Sequence, residues 1–157
     1  MFTTYVLVIE KTSSSRIRMR KQTIFMEKGV YLYVGSAKRG LEKRLARHVK
    51  KRKNRFWHID YITSRRDTTV QAIYLSPCPE CETLSAVSAL GTLFGRRLGS
   101  SDCRCQSHFV KLNQVSLDDL RNWMTREGFV EFRASGWYAA CAQQRTFLYQ
   151  QVCYETL

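Results

Sequence analysis

The segment GVYLYVGSAKRGLEKRLARHVK, residues 29–50, sets two tyrosines, a glycine turn and a ladder of cations side by side. Tyr31 and Tyr33 stand two apart in a strand-forming run, which puts both phenols on one face. Gly35 follows, and a backbone without a Cβ lets a phosphate-bearing ligand come close. Lys38, Lys43, Arg44 and Arg47 lie just beyond. An arginine stays protonated and forks onto two phosphate oxygens. A phenol, with an ordinary pKa of about 10, needs a nearby cation or metal-bound water before it can act as a base. A phosphodiester is therefore the ligand these residues suit, with Gly35, Ser36, Lys38, Lys43, Arg47 and Tyr31 as its expected binding residues. His48, one helical turn after Arg44, can share a proton with water or touch phosphate; the plainer reading is a half-exposed helix histidine.

Hydrolysis through two metals requires clustered carboxylates, and the 13 Asp and Glu are scattered. Glu80 and Glu82, in PECE, stand close together at the start of a helix, so one divalent metal is easier to support than two. Cys103, Cys105 and His108 form a second constellation with the C-x-x-C pair Cys78 and Cys81. Thiolates with an imidazole suit tetrahedral zinc, so Cys81, Cys103, Cys105 and His108 can staple a loop to that helix. The spacing is irregular and C-x-C is tight, which leaves free thiols and a disulfide open as readings. In FWHIDYI the alternation places His58 and Asp60 on one strand face, where they can orient each other.

The chain carries 26 Lys and Arg against 13 Asp and Glu, for a net +13. Between Lys38 and Arg66 twelve cations face only Glu42 and Asp60. A polyanion is the natural partner of such a field, and the interleaved Tyr, Phe and Trp favour nucleic acid over a merely solvated basic face. No stretch reaches the ~18 consecutive apolar residues of a membrane span, and the N-terminus has no basic segment leading into a long apolar one. A soluble, cytoplasmic protein with no membrane partner is expected. In that setting the six cysteines lose weight as a disulfide framework.

At 157 residues and 44% hydrophobic, the chain has apolar material for one domain. YVLVIE and RIRMR read as strands joined by a KTSSS hairpin loop, and TIFMEKGVYLYVG as a short strand, a turn at Lys28-Gly29 and a strand from Val30 to Val34. The first helix follows Gly40, and its apolar stripe is Leu41, Leu45 and Val49. FWHIDYI and VQAIYL read as strands around an SRRD turn, and a second helix starts at Pro79 and runs through ECETLSAVSALGTLF. GRRLGSSDCRCQSHF reads as an ordered loop. Ser116 and Asp119 then form a capping signal for a helix ending at Gly128. The class is α+β, with residues 1–110 as the main domain and 111–157 as a helical or mixed extension packed on it.

Tyr5 in YVLVIE, Tyr33-Val34-Gly35, Lys43-Arg44-Leu45 and ECE at Glu80 to Glu82 resemble, in order and spacing, the motifs of the GIY-YIG endonuclease superfamily. YLYVGSA, RH, WHIDY, ECE and SSDCRCQSH resemble the pattern of its small stand-alone branch. These motifs run from Tyr5 to His108, about two thirds of the chain. The resemblance implies a three-stranded antiparallel sheet core with additional strands, flanked by helices, and DNA cleavage with a single Mg²⁺ or Mn²⁺. It makes Tyr5 the first-motif tyrosine and Tyr33 the second-motif tyrosine that assists or acts as general base. Arg44 becomes the helix cation that stabilises charge on pentavalent phosphorus, and Glu80 the metal carboxylate, with Glu82 as the alternate. Thr3 stands where the first motif normally has glycine. A metal-dependent endonuclease acting on DNA is therefore expected. Its rivals are a basic, zinc-stapled nucleic-acid-binding module whose nuclease motif has decayed, and an RNA-directed nuclease built on the same residues.

Overall fold

The computed structural model describes residues 2–132. Its central strand β1 (Thr4–Lys11) is buried at nearly every position, so both faces must be covered. β4 (Gly29–Ser36) pairs with one edge of β1 and β5 (Thr68–Ser76) with the other, both antiparallel. β6 (Gly91–Leu93), β7 (Phe109–Leu112) and β8 (Val130–Phe132) extend this to a six-stranded antiparallel sheet in the order β6-β7-β4-β1-β5-β8.

Alternation along β1 and β4 builds two cores. Tyr5, Leu7, Ile9, Tyr31 and Tyr33 face one side, where Leu45 of α1 (Leu41–Val49) and Ile59 and Ile62 of α2 (His58–Thr63) cover them. Val6, Val8, Leu32 and Val34 face the other, under Leu84 and Val87 of α3 (Glu80–Val87) and Leu120 and Met124 of α4 (Leu117–Arg126). The α+β class with helices flanking an antiparallel sheet is thus observed, on a wider sheet than three strands. No helix among the described residues is long and apolar enough to cross a membrane.

Several elements differ from expectation. KTSSS is not a hairpin loop: both edges of β1 are already taken, and β2 (Ser15–Arg18) pairs instead with β3 (Thr23–Met26) as a separate ribbon. The four strands read before α1 are all present. FWHIDYI is not a strand but the loop and helix of α2, opened by Asp60 accepting from the backbone N–H of Phe56 and Trp57 at 3.0 Å each. His58 and Asp60 consequently do not orient each other. α3 stops at Val87, and after a 3₁₀ turn Gly91 begins β6, where its missing side chain lets the backbone lie against Lys111. The capping signal holds, with Asp119 N–H donating to Ser116 Oγ at 3.0 Å and Gly128 left-handed at φ 80°. A boundary after residue 110 falls inside β7, and residues 111–132 complete the sheet and one of its cores. The remainder of the expected extension lies outside the described residues.

Candidate functional site

Thr4 pairs with both Ser36 and Ser76, so β1 begins where β4 and β5 end. α1 follows β4, α3 follows β5, and His108 directly precedes β7. Tyr5, Tyr33, Ser36, Arg44, Glu80 and His108 thereby converge on one end of the sheet. Ser36 joins them: its hydroxyl donates to Glu80 Oε2, and its carbonyl accepts from Arg44 Nη1. Thr3, the departure from the first motif, supplies a carbonyl that accepts from Ala37 N–H at 2.7 Å and holds the turn after β4.

Tyr5 is fully buried, with its hydroxyl 2.7 Å from Nε2 of His48, which is 1% exposed. Tyr33 is also buried, with 9% exposure over the whole residue. Their ring centroids are 6.4 Å apart. Burial raises both phenols, the neighbouring phenol and Glu80 raise Tyr5 further, and Glu80 raises Tyr33 further, while Arg44 pulls both back. Burial pushes the His48 imidazole down to about 3, aided by Lys53, so it is neutral. Its Nδ1 is buried with no hydrogen-bond partner among the described residues. Tyr31 is not brought to this group: its hydroxyl donates to the Glu27 carbonyl at 2.9 Å, and burial pushes it up to about 12.

Gly35 is buried, and a Cβ there would lie 2.6 Å from the Tyr5 hydroxyl. The space its missing side chain leaves is filled by Tyr5 and Tyr33. Arg47 pairs with fully buried Asp60 at 2.8 Å and also donates to the Asn54 carbonyl, which fastens the loop between α1 and α2. In that loop Trp57 lies under Arg44, whose Cζ is 4.4 Å from the ring centroid. Lys38 and Lys43 are exposed beside the site. His58 accepts from Gly99 N–H at 3.0 Å, which ties the loop before β7 to α2. Sequence reasoning missed this link, and also Lys11, fully buried at the far end of β1 on Asp67 and Ser15.

Of the two candidate carboxylates, Glu80 faces the site and Glu82 is exposed. Burial raises the Glu80 carboxyl, but His108 and Ser36 outweigh it and hold the group below its ordinary range. Oε2 accepts from Ser36, Oε1 lies 2.7 Å from His108 Nδ1 without an aligned hydrogen bond, and each oxygen keeps a lone pair with which to bind a cation. The residues present fit a single divalent metal on that ground.

Cys81, Cys103, Cys105 and His108 also come together, with all their ligand atoms within 4.8 Å of one another. Cys105 Sγ lies 3.5 Å from Cys81 Sγ, and Cys103 Sγ 3.1 Å from His108 Nε2. Cys78 is exposed and outside this group, and none of the four described cysteines is bridged. Burial and the adjacent thiols push Cys105 up to about 12, a crowding that a shared cation relieves. Arg97, at φ 53°, donates to the Cys103 carbonyl at 2.6 Å and shapes the C-x-C loop. Three sulfurs and one imidazole are a donor set that suits tetrahedral zinc.

No curated protein and no solved structure matches the chain. The family described as Domain of unknown function DUF123 matches residues 4–128, and the chain belongs to that family.

Proposed function

We propose that the chain is a metal-dependent endonuclease that hydrolyses DNA phosphodiester bonds, as the GIY-YIG enzymes it resembles do. The observation that carries this reading is the meeting of Arg44 and Glu80 on Ser36, close enough to Tyr33 for both charges to act on its phenol. Glu80 is the residue that would hold Mg²⁺ or Mn²⁺, and such a cation supplies Lewis-acid stabilisation of phosphate charge. Arg44 brings a permanent positive charge to the same place and stabilises the charge that builds on phosphorus oxygens. Tyr33 holds its proton in this arrangement and orients a water or phosphate oxygen; a second positive charge beside Arg44 is what lets it serve as a base. Tyr5 and His48 form the buried backing of that phenol. The thiol and imidazole group is assigned to a structural Zn²⁺, which fastens the loop before β7 to the start of α3.

Arg44→Ala is expected to slow single-turnover cleavage of labelled DNA about 10²- to 10³-fold while weakening binding far less. Equal losses in both would reduce Arg44 to an ordinary phosphate contact, and an unchanged rate would remove it from the chemistry.

A second reading, a binding module without cleavage, draws on a separate observation. Phe56 is 65% exposed and Trp57 38% exposed among the cations of the loop after α1, a surface on which bases can stack without Glu80. That reading predicts strongly salt-dependent binding and no hydrolysis. RNA as substrate uses the same residues and is distinguished by dependence on the 2′-hydroxyl.

A further inference from the structure

The imidazole of His108 faces two ways. Its Nε2 lies in the group formed with Cys81, Cys103 and Cys105, and its Nδ1 is 2.7 Å from Glu80 Oε1. Nδ1 makes no aligned hydrogen bond at that distance; a ring that gives the Nε2 lone pair to a metal carries its proton on Nδ1, which can then turn to donate to the acceptor opposite. Here the acceptor is the carboxylate proposed above to bind the catalytic cation. Its other oxygen already accepts from Ser36.

We infer that the zinc site positions Glu80: bound Zn²⁺ fixes the ring and tautomer of His108, His108 fixes Glu80 Oε1, and Ser36 fixes Oε2. The inference rests on Glu80 holding the divalent cation. The physical need is plain in the chain. Glu80 is the first residue of α3 and follows Pro79, whose carbonyl accepts from Thr83 N–H, so the backbone start is fixed but the long side chain is not. The ring that meets it comes from the end of a loop with little regular structure. Zn²⁺ bound to Cys81, next to Glu80 in sequence, and to Cys103 and Cys105 on that loop locks the two segments together, with the thiol protons released to solvent. Without the ion, His108 is free to place its proton on Nε2, and a bare Nδ1 lone pair then opposes the carboxylate. His108 is thus a positioning residue, and zinc acts on the reaction from outside the reacting group. Hydrogen-bonding partners of metal ligands have this leverage elsewhere, typically about 10- to 100-fold in affinity or activity.

The test reads metal binding rather than turnover. Zinc content is measured by atomic emission, and Mn²⁺ alone is titrated by electron paramagnetic resonance, in the wild type, Glu80→Ala and His108→Cys. His108→Cys retains four ligands for zinc and removes the link to Glu80. The expected result is equal zinc content in wild type and His108→Cys, with Mn²⁺ affinity about 10- to 100-fold weaker in the variant. The same loss is expected in wild type stripped of zinc, with recovery on reloading, and this comparison decides the matter if circular dichroism shows His108→Cys unfolded. A zinc-loaded His108→Cys with wild-type Mn²⁺ affinity overturns the inference, as does a wild type that takes up no zinc. Mn²⁺ affinity that Glu80→Ala leaves unchanged overturns instead the assignment of Glu80 to the cation, which separates the two failures.

Discussion

His48 shows how a core can hold a polar ring in place. It is neutral because it is buried, with the ring pushed down to about 3, and it is buried because the Tyr5 hydroxyl needs a polar partner inside the core. In the unfolded chain the same ring titrates near 6.5. As pH falls from about 6.5 toward 3, the unfolded state takes up a proton that the folded state refuses, so stability falls across that window. Urea unfolding at pH 7 and pH 5 should show a smaller loss for His48→Phe than for wild type; equal losses would contradict the burial argument. The sequence left His48 open between a ring that meets water or phosphate and a half-exposed helix position, because Leu41, Leu45 and Val49 looked like the inward stripe. In fact Leu45 and His48 point inward and Val49 is 37% exposed. Tyr33, Arg44 and Glu80 were legible as candidate site residues from their chemistry. The roles of Ser36 as their junction and of Gly35 as space for Tyr5 were not, since both depend on contacts between strands and helices that no local pattern encodes.

At the scale of elements, the far end of the sheet is fixed by charge. The Lys11 ammonium is fully buried on Asp67, which Arg65 also engages at 2.8 Å. The Arg65 hydrogen bond, opposed by burial and aided by Lys11, holds the Asp67 carboxyl well below the usual range. Its contribution to stability is present above the ordinary carboxylate pKa and is lost as pH falls below it. Asp67→Ala leaves Lys11 buried without its carboxylate and should cost about 3–5 kcal/mol by urea unfolding, with partial recovery in Lys11→Met/Asp67→Ala. A single-variant cost under about 1 kcal/mol would show that the pair behaves like a surface ion pair. Such long-range pairs leave no sequence signal, and KTSSS read as a hairpin loop for that reason. α2 was misread because a six-residue helix is too short for period 3.6 to emerge over the chance alternation of Trp57, Ile59 and Tyr61. The opposite case is α4, where the Ser116 cap, Asp119 and Gly128 gave both ends locally.

For the whole molecule, the +13 charge is less free than its count suggests. Lys53 donates to the Arg47 and His48 carbonyls at the end of α1, and Lys51 to the Thr63 and Arg65 carbonyls after α2. Those cations complete helix ends, while Lys38, Arg39, Lys43, Arg52 and Arg55 remain exposed. The α+β class and order of most strands were readable from apolar runs, but the pairing of β1 between β4 and β5 was not. That pairing is what brings Glu80 to Arg44. The most direct measurement is cleavage of labelled duplex, branched and single-stranded DNA and of RNA, with and without Mg²⁺ or Mn²⁺, by the protein beside its Glu80→Ala variant. DNA hydrolysis that requires the divalent metal and is lost in the variant is the predicted result; tight, salt-sensitive binding with no hydrolysis of any substrate would contradict it.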